Sequence, residues 1–310
     1  LSFPEAVERL AGEAGMEVPA DTPEERQRAQ QRQSLYDVLE TVCAHFEKML
    51  RLPEGGAALD YLGRRGLDDE TISRFRLGFA VEAPGALKAA LGRDGVGEDQ
   101  LVAAGQLKRS ADGRPPYQYF RGRVIFPITD RRGRVIAFGG RILKDGEPKY
   151  LNSPETALFS KGRVLYGLAQ AAAAARKAGT LIVAEGYMDV IALARAGFEN
   201  AVAPLGTALS EDQIAGLWRI VRQPVLCFDG DEAGRRAAAK AAERALPVLK
   251  AGYALRFAML PPGEDPDSLI ARTGAKAMDK VLANAVPLSE VQWRMESGGR
   301  TAKTPEERAS

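Results

Sequence analysis

Between residues 180 and 260 the chain alternates short, mainly apolar runs with segments of helical period, a pattern that few architectures accept. The apolar runs 180–184, 201–205, 224–228 and 254–260 predict four strands. A helix is expected over 187–196, closed by Gly197. Another opens at the capping box Ser210-Glu-Asp-Gln213 and places Ile214, Leu217, Trp218 and Val221 on one face. A long helix follows over 233–250, and an alanine-rich one over 168–178 precedes the set. Strands that lack a polar alternate face, joined by helices, predict a parallel sheet covered on both sides.

In such a sheet, ligands bind beyond the carboxyl ends of the strands. Acids stand at those ends. Glu185 follows the first strand, Asp229 and Asp231 follow the third, and Asp265 and Asp267 follow the fourth. In extended chain, side chains two apart point the same way, so Asp229-Gly-Asp231 aims two carboxylates at one point. One Asp-x-Asp alone also serves turns and helix caps, and Glu185 could cap the helix after Gly186. Three clusters at successive strand ends instead predict a cation site, because like charges so close repel without one. Oxygen donors suit Mg²⁺ or Mn²⁺ and phosphoryl or nucleotidyl transfer. Gly206 and Thr207 read as a strand-to-helix turn, Cys227 as a packed strand residue, and Arg235 and Arg236 as balancing charges or phosphate contacts.

Composition narrows the chemistry further. With one histidine (His45) and two cysteines (Cys43, Cys227), a zinc centre of several His and Cys ligands is excluded, as is a disulfide scaffold. His45 reads as a surface residue off the apolar stripe of the helix expected over 34–50. The polar segment 24–33 precedes that helix. The net charge is only +2, but residues 108–163 carry 13 Lys and Arg against 5 acids, with aromatics interleaved. Two strands are expected there, 123–129 and 134–140, joined by a turn at Gly133. A basic, aromatic-bearing sheet surface suits a phosphate-rich polymer, though a solvated face has the same composition. No apolar run approaches the length of a membrane span, and no secretory signal pattern opens the chain. A start at Leu1 suggests a piece of a longer protein.

Val183-Ala-Glu-Gly-Tyr-Met-Asp-Val190, Phe228-Asp-Gly-Asp-Glu-Ala-Gly234 and Gly263-Glu-Asp-Pro-Asp-Ser268 resemble the TOPRIM fold shared by bacterial primases and topoisomerases. Upstream, Arg123-Val-Ile-Phe-Pro-Ile128, Arg134-Val-Ile-Ala-Phe-Gly-Gly-Arg141, Pro148-Lys-Tyr-Leu-Asn-Ser-Pro-Glu-Thr156 and Phe159-Ser-Lys-Gly-Arg-Val-Leu-Tyr-Gly-Leu168 resemble the bacterial DNA primases. The resemblance covers roughly residues 1–295.

It implies a DNA-directed RNA polymerase of the primase type, making short RNA primers on single-stranded DNA by two-metal nucleotidyl transfer. Glu185, Asp229, Asp231, Asp265 and Asp267 match the family's metal-binding acids, and Glu185, Asp229 and Asp231 would be catalytic. Arg141, Lys149 and Lys161 match its basic template or nucleotide contacts, with Arg121 and Arg123 as helpers on the same surface. The implied cofactor is Mg²⁺ or Mn²⁺. Zinc is expected only in an N-terminal domain absent from this sequence, as is the family's C-terminal helicase-binding domain. Implied partners are the single-stranded template and ribonucleoside triphosphates. For the full-length protein, a replicative helicase and single-strand-binding protein are added, in the cytoplasm at the replisome. The expected organisation is a basic mixed α/β lobe over 1–166, a Rossmann-like parallel-sheet TOPRIM lobe over 167–283 and a partial helical subdomain over 284–310. A topoisomerase or nuclease on the same fold, and a non-catalytic nucleic-acid-binding module, are the rival readings.

Overall fold

The structure is a computed structural model and describes residues 3–14, 22–110, 112–206 and 208–296. Thr207 and the tail 297–310 lie outside the described residues. The first lobe opens with α1 (Phe3–Glu13) and α2 (Pro23–Arg51). Thr22 caps α2 by accepting the Glu25 N–H at 3.2 Å, while the Glu25 carboxylate accepts the Thr22 N–H at 2.8 Å. This reciprocal cap starts the helix twelve residues before its apolar face begins, so the polar segment 24–33 is helical too. From Val38 onward one face is buried, with Leu39, Val42, Cys43, Phe46 and Leu50. His45 is half-buried rather than on the surface, and burial lowers its pKa.

Short elements follow: α3 (Gly56–Arg64), α4 (Asp69–Arg74), β1 (Gly78–Ala80), α5 (Ala86–Arg93), α6 (Glu98–Ala103), β2 (Leu107–Lys108) and β3 (Tyr117–Gln118). The expected hairpin is β4 (Arg123–Thr129) and β5 (Val135–Ile142), with β6 (Tyr150–Asn152) beyond it. These strands form an antiparallel sheet in the order β1-β4-β5-β6. The hairpin is buried on both faces, which explains its unbroken apolar run. Ile125, Val135 and Phe138 pack with α2, whereas Val124, Phe126 and Ile128 pack toward the second lobe.

The second lobe alternates as expected. Its elements are α7 (Leu168–Ala178), β7 (Ile182–Val183), α8 (Tyr187–Arg195), β8 (Ala201–Val202), α9 (Glu211–Trp218), β9 (Val225–Phe228), α10 (Glu232–Ala245), β10 (Arg256–Met259), α11 (Pro266–Thr273) and α12 (Ala275–Ala283). The chain continues as β11 (Val286–Pro287) and α13 (Leu288–Glu296). The sheet order is β11-β10-β9-β7-β8, parallel except for β11. The chain steps outward from β7 to β8 and then crosses back to β9, so the order reverses between β7 and β9. That switch point is where open α/β sheets place their ligands. Residues of α7, α9 and α10 pack on one face, and residues of α8, α11 and α12 share the other with the first lobe.

The structure departs from the sequence expectation at the edges. The strands are shorter than the apolar runs, and α10 stops at Ala245 before a 3₁₀ turn containing Pro247. Tyr166, expected in the first lobe, bridges to Ala203 of the second sheet. Val286–Pro287 pairs with β10 as an added edge strand, and α13 follows it.

The lobes share one continuous core, and Tyr187 of α8 is its pivot. Its ring stacks on Phe126 at 5.0 Å and meets Tyr166 edge-on at 4.7 Å. Gly139 of β5 leaves room for it: a Cβ there would lie 2.5 Å from the Tyr187 Cζ. Gly139→Ala is therefore expected to destabilise the chain by about 1–3 kcal/mol through overpacking. Urea denaturation measures it, and an unchanged midpoint would contradict this view of the lobe junction.

Candidate active site at the carboxyl edge of the second sheet

The two strands beside the switch point deliver the first pair of acids. Past β7 the chain turns at Glu185 into α8, and past β9 it turns at Asp229. The Asp229 N–H donates to Glu185 Oε1 at 2.9 Å, so the two loops are joined through one carboxylate. Gly230 makes the next close approach. Its N–H donates to the Glu264 carbonyl at 2.9 Å, and a Cβ on it would sit 1.8 Å from the Pro261 carbonyl oxygen. The Asp-Gly-Asp turn thus lies directly on the loop that carries Asp265, and no larger residue fits between them.

The remaining expected acids are present at this edge, but each is engaged. Asp231 caps α10, accepting the Gly234 N–H at 2.7 Å. Asp265 caps α11, accepting the Ser268 N–H at 2.7 Å. Asp267, in the first turn of α11, is buried and ion-paired with Arg65, whose Nε donates to it at 3.0 Å. Arg65 follows α3, so this pair ties the first lobe to the acidic edge.

Sequence reasoning missed Asp189. It lies one helical turn after Glu185, is 8% exposed, and accepts the Gly186 N–H at 2.9 Å. Its signal was available in the quoted motif, where Glu185 and Asp189 stand four apart across a glycine that starts a helix.

The electrostatics follow from this convergence. Burial, then the charges of Glu185, Asp265 and Asp231, push Asp229 up to about 7. Burial raises Glu185, with Asp231 adding to it and the Asp229 N–H opposing. Burial and the nearby Asp229 and Asp265 raise Asp189 well above the ordinary carboxylate range. One buried oxygen, Asp229 Oδ1, has no hydrogen-bond partner. Among the described residues, no three His, Cys, Asp or Glu side chains are arranged to hold a metal ion as they stand. The donor set nonetheless fits a divalent cation: hard oxygens, mutually repelling, one of them buried without a partner.

Basic groups meet this edge at Tyr150. Tyr150 is 39% exposed as a residue, yet desolvation of its phenol raises the pKa, and Tyr61, Arg141, Arg65 and Asp189 act on it in turn. Arg141 lies over the Tyr61 ring at 4.2 Å, and its Nε is buried without a partner. Lys149, just before β6, is exposed. Lys161 is half-buried, its backbone N–H donating to Glu155 at 2.9 Å. Arg121 is exposed near Glu82. Arg123 is a correction. It is 6% exposed, and its Nη1 donates to the carbonyls of Gly140 and Pro148 at 3.2 and 3.0 Å. It braces the β5–β6 connection from inside and does not reach the surface assigned to it from sequence.

The second lobe is an open α/β sheet with acids gathered at the tips of its parallel strands, and residues 179–257 match the Toprim domain. Residues 45–172 match the DNA primase catalytic core, N-terminal domain. The chain is 47% identical over 294 residues to the DNA primase of Pseudomonas putida, covering 94% of this chain and 44% of that protein. A DNA primase domain from Pseudomonas aeruginosa superimposes with a TM-score of 0.83 at 45% identity, over 89% of this chain and 86% of that one. A DnaG primase catalytic domain bound to ssDNA gives a TM-score of 0.80 at 43% identity, over 91% and 88% of the two chains. The chain belongs to the bacterial DNA primase family, as its catalytic core. It spans about half the length of the curated relatives it matches. The Toprim match implies divalent-metal use in general.

Asp229 supplies a pH test. Its ordinary value is 3.8 and burial among like charges lifts it to about 7, so the folded state binds a proton that the unfolded state has lost. That contribution to stability is present at acid pH and disappears as pH rises through about 7. In chelator at about pH 8, Asp229→Asn should be more stable than the parent by about 1–2 kcal/mol, discounted for partial exposure. The gap should close near pH 4 and narrow when a divalent ion is added. Denaturation midpoints at the two pH values check this, and a variant less stable than the parent at pH 8 would contradict it.

Proposed function

We propose that this chain is the polymerising core of a DNA primase, joining ribonucleotides into short primers on a single-stranded DNA template. The observation that carries this reading is the contact between Glu185 and Asp229 beside a partnerless Asp229 oxygen, within reach of the Arg141–Tyr150 surface. The primase relatives support the same reading.

Glu185, Asp189 and Asp229 would hold Mg²⁺ or Mn²⁺, with Asp231, Asp265 and Asp267 joining when released from their present partners. Bound there, divalent cations would stabilise charge on the attacking 3′-oxygen and on the departing pyrophosphate. The chain's own residues do the rest. Arg141 and Lys149 bind phosphates of the template or incoming nucleotide, and Lys161 and Arg121 extend that surface. Arg123 acts only by keeping the β5–β6 connection in place. The stacked Tyr187 and the helix caps fix the two walls, so the nucleotide meets a preformed cleft.

The longer protein would work with a replicative helicase and a single-strand-binding protein in the cytoplasm, with zinc confined to a separate N-terminal domain. Among the described residues, no helix is long and apolar enough to cross a membrane.

Asp229→Asn should lower ribonucleotide incorporation on single-stranded DNA by about a hundredfold or more, with an unchanged circular dichroism spectrum. A parent that nicks DNA but incorporates no ribonucleotide would favour a nuclease or topoisomerase. Parent-level synthesis by the variant would remove the acidic edge from the chemistry.

A further inference from the structure

We propose that the cleft between the N-terminal part of α2 and the β4–β5 turn is a second landing site for single-stranded nucleic acid, remote from the acidic edge. The inference rests on the primer-synthesis reading and adds to it where the strand runs. Residues 24–33 are almost wholly polar, yet α2 runs through them, and their described side chains are exposed. No core contact accounts for the extension. A helix that is polar all round needs other support or another use.

Its side chains are ordered toward one side. Arg28, Arg32 and Tyr36 are four apart and form one row. Facing the row, Arg134 of the hairpin lies 3.7 Å above the Tyr36 ring and donates to its hydroxyl at 2.9 Å. Arg131 and Arg132 are exposed on the turn beside it, at the rim and not in the cleft lining, with Arg131 reaching toward Gly216 of α9. The cleft between the row and Arg134 is about 520 Å³.

The acids at this place are already occupied. Asp130 accepts the backbone N–H groups of Arg132 and Arg134 at 2.8 and 3.0 Å and also pairs with the Arg134 side chain. Glu25 closes the α2 cap. Among the described residues, Arg28, Arg32, Arg131 and Arg132 have no carboxylate partner. Some surface arginines elsewhere have one, as in Arg74–Glu199, Arg76–Glu40 and Arg163–Asp212, while Arg64, Arg176 and Arg222 have none among the described residues; what sets this place apart is that several such arginines stand together.

Guanidinium groups in this number fit either phosphates or carboxylates. The Arg134–Tyr36 stack decides between them. It leaves a flat guanidinium with a side chain 41% exposed, a platform on which a base can stack and for which an acidic peptide has no use. The turn and Arg121 lie beyond opposite ends of β4, whose seven residues alone span about 20 Å at strand rise, so this surface is not part of the Arg141–Tyr150 wall.

The test is the double variant Arg28→Ala/Arg32→Ala, whose exposed positions accept alanine without loss of helix. Binding of a fluorescent oligo-dT of about 20 nucleotides is followed by anisotropy from about 50 to 300 mM NaCl. The variant should lose about three- to tenfold in affinity near 0.1 M salt, and its log K against log salt slope should shrink by about 1.4, or 0.7 per lost phosphate contact. Arg131→Ala/Arg132→Ala should move both quantities the same way. If the parent binds and makes primers while both variants keep its affinity and slope, this proposal is overturned and the primer-synthesis reading stands. A parent that binds no strand and makes no primer removes both. If polyglutamate of matched charge competes as well as oligo-dT, the cleft belongs to an acidic protein and the proposal also fails.

Discussion

Repulsion among carboxylates gathered on the strand tips is the constraint that the rest of the molecule answers. Glu185, Asp189 and Asp229 are withdrawn from water, the charge of Glu185 acts on Asp229 and that of Asp229 on Asp189, and all three bind protons more tightly than ordinary acids. A fold stabilised for its own sake would not place them together. Their neighbours show how the charge is tolerated. Backbone N–H groups at loop and helix starts donate to Glu185, Asp189, Asp231 and Asp265, and Arg65 crosses from the first lobe to Asp267. Asp229 Oδ1 alone is left buried without a donor, at the centre of the group.

The two lobes act as one because their junction is packed and not hinged. Tyr187 touches Phe126 and Tyr166, its hydroxyl bonds to Asn152, and Gly139 yields space for its ring. Asn152 in turn donates to the Leu205 carbonyl at 2.9 Å, so β6 is tied to the loop after β8. The basic wall that ends in Tyr150 is thereby set at a fixed distance from the acids. Arg123, buried under that wall, contributes by shape and hydrogen bonding instead of by contact with a strand.

The sheet was legible because its strands are almost entirely apolar and its helices carry clear periods and caps. The acids were legible because they recur at the same point of successive strand–helix units. Asp189 was not, since it sits inside a helix, where an acid one turn from a glycine resembles ordinary capping. The burial of Arg123 was hidden because a basic residue at a strand start looks the same in sequence whether it points outward or braces a turn. The ends of α2 and α10 and the strand Val286–Pro287 depend on tertiary partners that no local pattern states. The engagement of Asp231, Asp265 and Asp267 with caps and with Arg65 likewise needs coordinates, because spacing shows convergence but not which partner wins.

The account is tested most directly by locating Mn²⁺ crystallographically, using its anomalous signal in crystals of this chain. The expected result is a peak at ligand distance from Asp229 and Glu185, with Asp189 turned toward it. A protein that binds Mn²⁺ only away from these side chains, or shows no peak at saturating Mn²⁺, would contradict the claim that the strand-tip acids form one cation site.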